Sequence, residues 1–346
     1  MGESAGGEHA SARAIRSPAD LDARSWKFVG RKVVRGFVAD GCPDIAASLA
    51  FYATLALIPA VMVFVSLVGM LDREGETVRL IEDVTRTLAA PEAAGVLGDV
   101  LDELADSSVA GVALTGGLVL AVWAGARYVA AYGRAMNRIY GVEEGRPFWR
   151  LKLTQVWVTL VVLIASFVAS VLFAVSSPVA DAIGESFGVG DALLTLWTVI
   201  RWPVLGIIIV FIVAFLSYSA PNVKHPRFRW MSIGAAAAIL VLVAATLLFA
   251  LYVSNFARYE LIYGSLTAVI VFLLWLWLAN MALMVGVEID AEVERARELR
   301  AGAPAETRVQ LPLRDASRIR KSARRDRDER AEARRLRVGG DDSGES

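Results

Sequence analysis

The chain has 346 residues, 56% of them hydrophobic and 21% charged, with a mean hydropathy of +0.51, which excludes an ordinary soluble globular composition. Its 36 Lys and Arg balance 36 Asp and Glu, so no global basic excess points to nucleic acid. One cysteine, Cys42, and two histidines, His9 and His225, exclude a disulfide framework, a Cys-cluster metal site and any multi-His zinc site built without other ligands.

Residues 1–25 are polar and lack an apolar h-region, which predicts a disordered cytoplasmic N-terminus without a cleavable signal. Over 26–44, Trp26, Val29, Val33 and Phe37 recur at helical spacing while Lys27, Arg31, Lys32 and Arg35 take the other side. This predicts an amphipathic helix, either interfacial with its cations on anionic headgroups or packed on the rest of the protein. Six charge-free runs follow, at 45–71, 107–126, 153–180, 202–223, 230–257 and 261–287. Their lengths are 27, 20, 28, 22, 28 and 27 residues. About 20 helical residues cross a hydrocarbon core about 30 Å thick, so each run can span. Helix is the expected state because every backbone amide in lipid must be satisfied within its own segment.

The external loop 72–106 carries ten acidic residues and a helical apolar pattern broken at Pro91 and Gly95, which predicts two short amphipathic helices. They form either a lid over a cavity or a plain solvated cap. The six spans and this loop make a transmembrane domain over 45–290. The tail, 291–346, holds fifteen Lys and Arg from Arg295 onward and almost no apolar face, which predicts disorder or a lone solvated helix touching anionic lipid.

Sixteen Lys and Arg flank the spans on the side of the termini and five on the other, so the positive-inside rule places both termini in the cytoplasm. Trp149, Trp197, Trp202 and Trp230 cluster at span ends, where an indole sits at headgroup depth. Trp275 and Trp277 lie mid-span and are read as helix packing. Pro59 removes a helix hydrogen bond midway along the first span, near Tyr52 and Thr54, and is read as a hinge or a static kink. Ala46, Ala50 and Ala53 share a face that permits close helix contact. Glu288 at the end of the last span is either a solvated anchor or a site for a cation, proton or substrate, with a pairing to Arg127, Arg134 or Arg138 as one hypothesis.

Several segments together resemble one family. Ala46-Ala47-Ser48-Leu49-Ala50-Phe51-Tyr52-Ala53 with Leu57-Ile58-Pro59 is similar to the opening signature of the YihY/BrkB family of bacterial inner-membrane proteins. Asn137-Arg138-Ile139-Tyr140-Gly141-Val142 with Arg146-Pro147-Phe148 resembles its inner loop, and Tyr218 with Pro221-Asn222 and Trp230 the end of its fourth span. Tyr263-Gly264-Ser265-Leu266, Leu274-Trp275-Leu276-Trp277-Leu278 and Gly286-Val287-Glu288 resemble its last span, Val287 standing where the family has Ala. The resemblance covers residues 25–295. It implies an all-α, integral membrane six-helix bundle of the inner membrane, with links to envelope integrity, serum resistance and lipid export and an old label of ribonuclease BN.

That label meets no support in the residues. A two-metal phosphodiesterase needs a His-x-His-x-Asp-His cluster, absent here. No nucleophile elbow and no Walker A pattern occur either. The expectation is therefore a non-enzyme without cofactor or metal: a transporter or flippase-like protein for a lipid or amphipathic anion. Tyr52, Arg127, Arg134, Asn137, Arg138, Asn222 and Glu288 are its candidate contacts and Pro59 its candidate hinge. Asn222 is also read as a helix stop. The alternative is a non-transporting scaffold of the envelope. Expected partners are membrane lipids and anionic headgroups, with a homo-oligomer left open and no nucleic acid.

Overall fold

The computed structural model describes residues 22–71, 107–174, 191–224, 232–254, 266–306 and 308–341. The acidic loop 72–106, residues 1–21 and the segment with His225 and Trp230 lie outside them, as does Tyr263-Gly264-Ser265. Within the described residues the chain forms eight helices and no strand beyond one isolated antiparallel bridge, Val223 to Leu313. They are α1 (Ala23–Ala39), α2 (Cys42–Leu71), α3 (Ser107–Ile139), α4 (Phe148–Ala174), α5 (Asp191–Ser219), α6 (Ile233–Ser254), α7 (Leu266–Arg300) and α8 (Ser317–Asp341).

Asp22 caps α1 by accepting the Ser25 N–H at 3.0 Å. Gly41, at φ 66°, turns the chain directly into α2, a backbone state that costs other residues a Cβ clash. Six helices, α2 to α7, are long and apolar enough to cross a membrane. The protein is an all-α integral membrane bundle. Its spatial order is α5, α4, α3, α2, α7, α6, with α7 between α2 and α6 and only light contact closing the ring from α6 to α5.

The apolar surface is spent unevenly. Leu247, Leu248 and Leu251 of α6 and Ile164 of α4 are exposed, as helices solvated by acyl chains allow. Burial concentrates instead at one end, here termed the basal face, where Leu49, Tyr132, Met136, Val158, Leu216, Val223, Met284 and Val309 form one core. Val29 of α1 packs with Val293 and Ala296 of α7, while Val34 and Val38 stay exposed. The amphipathic N-terminal helix thus has one apolar stripe on the bundle and another left for lipid. The Trp275 indole donates to Thr246 Oγ1 of α6 at 3.2 Å, and that of Trp277 to Pro43 O of α2 at 3.1 Å, so both rings tie helices together.

Two boundaries differ from the charge-free reading. The second span does not stop at 126 but continues as α3 to Ile139, because a helix tolerates arginines that project from its outer face. The tail does not begin at 291, since α7 runs to Arg300 and residues 301–316 fold back onto the basal face with Ala305 and Val309 buried. Pro59 sits inside an unbroken α2, its carbonyl 3.5 Å from where a Cβ on Gly117 of α3 would lie.

Candidate functional site

Three groups of the candidate residues occupy the basal half. Arg127, Arg134 and Arg138 stand seven and four residues apart on α3, which places them on one stripe of the helix, about 10 Å and 6 Å apart along its axis. All three are exposed, whereas Tyr132, Ala135 and Met136 on the opposite face are core. They fall within the candidate span Leu114–Ile139. Arg127 lies over the exposed Trp123 ring, 5.2 Å from its centroid, and Arg138 pairs with Asp40 at 3.6 Å. The result is a lane of guanidinium groups leading from inside an apolar segment to the basal face. Such groups bind phosphate or carboxylate bidentately while their stems rest on apolar surface.

Asn137 and Asn222 are brought into contact. Asn222 is fully buried, and its N–H donates to Asn137 Oδ1 at 2.8 Å. Its Nδ2 donates to Glu143 O at 3.0 Å and Asp315 O at 2.9 Å, and its Oδ1 accepts the Asp315 N–H at 3.2 Å. Its own carbonyl accepts the Arg314 N–H at 3.1 Å. Asn137 Nδ2 donates to Glu144 Oε2 at 3.1 Å. Two arginines extend the knot: Arg146 forks onto Glu144 at 2.8 Å through both nitrogens and reaches Ala220 O at 2.7 Å, and Arg314 donates to Val223 O and Tyr218 O. The end of α3, the loop 140–147, the end of α5 and the segment 301–316 are therefore one hydrogen-bonded unit. Gly145 permits it, because a Cβ there would overlap Asp315 O.

Arg314 and the segment around it escaped the sequence reading. The usable signal was the alternation Val309, Leu311, Leu313 inside an otherwise charged tail, which marks an extended strip with one face against the protein. Burial pulls the Arg314 guanidinium down from its ordinary range, helped by Arg146 and opposed by Tyr218.

Burial alone would push the Glu144 carboxyl up, but the hydrogen bonds and charge of Arg146, with Asn137, hold it below the usual value of 4.5. A carboxyl depressed in the folded state contributes stability that is complete above the unfolded value and lost as pH falls through the folded one. Unfolding midpoints followed from pH 7 downward are therefore expected to fall below about pH 4.5, and Glu144→Gln to flatten that limb. An unchanged acid slope in the variant would remove Glu144 from the account.

Glu288 is 2% exposed and meets none of the three α3 arginines. Its Oε1 accepts from the Cys42 thiol at 3.6 Å, Asp40 and Glu292 lie close by, and Gly36 of α1 leaves room for its Oε2. Arg138 is engaged with Asp40 instead, so the hypothesised Arg–Glu288 pair gives way to a carboxyl held among other acids between α1, α2 and α7. Tyr52 is half-buried on α2 against the same core, edge-on to Phe51. No group of three or more His, Cys, Asp or Glu placed to hold a metal occurs among the described residues.

Comparison with known proteins bears on this arrangement. The profile of a family described as virulence factor BrkB matches residues 33–310. A protein of Bacillus subtilis named ribonuclease-like protein YfkH is 28% identical over 254 residues, covering 73% of this chain and 90% of its own length. UPF0761 membrane proteins of Aromatoleum aromaticum and of an Azoarcus species are 31% and 30% identical over 278 and 275 residues. Those matches cover 77% and 78% of this chain, and the chain spans 64% of the length of each of these two relatives. No solved structure matches.

Proposed function

This chain belongs to the virulence factor BrkB family, and from that premise we propose that it is a non-enzymatic transporter or flippase-like protein for a lipid or amphipathic anion. The observation that carries the reading is the arginine lane on α3. An anionic group entering at the basal face meets Arg138 and Arg134 and then Arg127, while apolar chains stay against the exposed Val119, Leu120 and Trp123 on the same side of the helix. The excess of Lys and Arg at the termini supports a basal face in the cytoplasm, hence N-in and C-in, in the inner membrane. Pro59 supplies the hinge in α2, beside α3, with Tyr52 seven residues before it.

The Asn137–Asn222 pair holds the floor of the lane, and Glu288 fixes α1 and α2 against α7. Ribonuclease-like is a relative's name. The scarcity of histidine in the sequence argues against a two-metal phosphodiesterase of the ribonuclease kind.

The test is reconstitution in liposomes with time-resolved transbilayer movement of fluorescent anionic and zwitterionic lipids. Anionic lipid is expected to move faster than in protein-free liposomes, and Arg127→Gln with Arg134→Gln to slow it on the order of tenfold, the loss of charge-assisted contacts. Absence of movement for every lipid class would overturn the transport reading and leave a scaffold of the envelope.

A further inference from the structure

α8 lies beyond the residues that match the family and carries a charge pattern unlike the rest of the chain. At 100° per residue, Arg320, Arg327 and Arg334 repeat every seven positions on one stripe. Arg324 and Arg335 flank that stripe on one side, Arg330 and Arg337 on the other. No acid falls among these seven. Asp326, Asp328, Glu329 and Glu332 all lie on the opposite half, interleaved with Arg318, Lys321 and Arg325. Over residues 317–337 the helix is therefore near-neutral on one face and purely cationic on the other, Asp341 at its last position being the acid on the arginine side, and every one of the seven arginines is exposed. Like charges so arranged repel one another in water, an effect that the i, i+4 spacings Arg324–Asp328 and Asp326–Arg330 offset in part and that an anionic surface over the face relieves.

The first turn of α8 is fixed in place. The Arg318 N–H donates to Gly145 O at 2.9 Å, and Asp315, which caps that turn through the Ser317 N–H at 2.8 Å, pairs with Arg150 at 3.3 Å. Arg150 and Lys152 lie over the exposed rings of Trp149 and Phe148, at 5.0 Å and 5.7 Å, where α4 begins its span. Exposed aromatics with cations over them at a span end mark headgroup depth. The arginine helix thus starts beside the membrane surface.

We propose that the seven-arginine face of α8 docks on an anionic bilayer, guanidinium groups on lipid phosphates, as an electrostatic anchor for the C-terminal segment. Charge complementarity and the tether at Gly145 carry it. Because α8 has no broad apolar face, the contact is ionic and yields to salt. The inference stands independently of transport, since it concerns a helix outside the α3 lane.

The test uses the full-length protein in vesicles of phosphatidylglycerol with phosphatidylcholine, or of phosphatidylcholine alone, each containing a lipid with a headgroup-level quencher. A fluorophore is placed on Ala331→Cys, which shares the arginine face, or on Ala333→Cys, on the opposite half. Cys42 is fully buried and leaves the added thiol as the reactive one. Quenching at position 331 is expected to rise roughly threefold with phosphatidylglycerol, to exceed that at 333, and to revert at 1 M salt, where the screening length is about 3 Å.

Arg320→Gln, Arg324→Gln, Arg327→Gln and Arg334→Gln together abolish the rise, while Lys321→Gln with Arg325→Gln leaves it. Equal quenching at both positions, or quenching indifferent to lipid charge or salt, overturns the proposal. So does RNA that draws the label off anionic vesicles at physiological salt, which would assign the face to nucleic acid.

Discussion

Asn222→Ala is expected to lower the unfolding free energy by about 3–5 kcal/mol and to release the segment 301–316 to protease. The side chain makes three hydrogen bonds to backbone groups of residues 79 and 93 positions away, in a site where the asparagine itself is 0% exposed. Truncation leaves the Glu143 and Asp315 carbonyls and the Asp315 N–H without that partner. Each buried group so orphaned costs about 1–3 kcal/mol, and neighbours in one network do not add fully. Asn222→Asp is expected to be worse than alanine, because a carboxylate replaces the amide that donates to two carbonyls. The check is chemical unfolding in detergent, read together with the cleavage rate at 301–316. Unchanged midpoint and unchanged protection in both variants would show that the knot contributes nothing to stability.

In the sequence Asn222 is legible as a helix stop and not as the centre of a knot. Pro221-Asn222 does end α5, and turn chemistry is local enough to see in a sequence. Its partners come from three other segments, and no periodicity connects residues 137, 222 and 315. The six spans were legible for the converse reason: lipid imposes its constraint on each segment separately, through length and absence of charge. The same criterion misplaced the end of α3, because it counts Arg127 as the end of a span when a guanidinium on an outward face is compatible with continued helix. What ends α3 is Gly141, at φ 64°, with the Val142 N–H closing onto Asn137 O at 2.9 Å. Once the helix is carried to Ile139, the three arginines at the inner end of the second span become one lane. Glu288 was visible as a lone acid at a boundary, but its neighbours Asp40 and Cys42 belong to the elbow between α1 and α2, and only the fold brings them there.

Gly234→Ala is expected to cost about 3 kcal/mol or more and to separate α6 from α7. The two helices cross with backbone against backbone: a Cβ on Gly234 would overlap the Gly286 carbonyl, and one on Gly286 would stand 2.5 Å from Gly234 O and 2.7 Å from Ala238 Cβ. A main-chain carbonyl cannot swing aside as a side-chain end can, so the helices must move apart. That motion also strips the start of α6 of its partners, since Asp290 of α7 accepts the Gly234 N–H at 2.8 Å and binds Ser232 Oγ at 2.6 Å. Ser232 in turn caps α6 through the Ala235 N–H at 2.9 Å. With lipid on the outer face, no hydrophobic gain pulls the pair back together, and close packing plus these bonds is what holds it. Gly206→Ala is the matched control, because nothing lies within 4 Å of a Cβ there. On the exposed side of α5 the extra methyl is expected to be neutral or to stabilise by up to about 1 kcal/mol through helix propensity. Unfolding midpoints of the two variants in the same detergent decide the matter. Should Gly234→Ala shift the midpoint no further than Gly206→Ala does, the α6–α7 crossing is looser than its geometry requires.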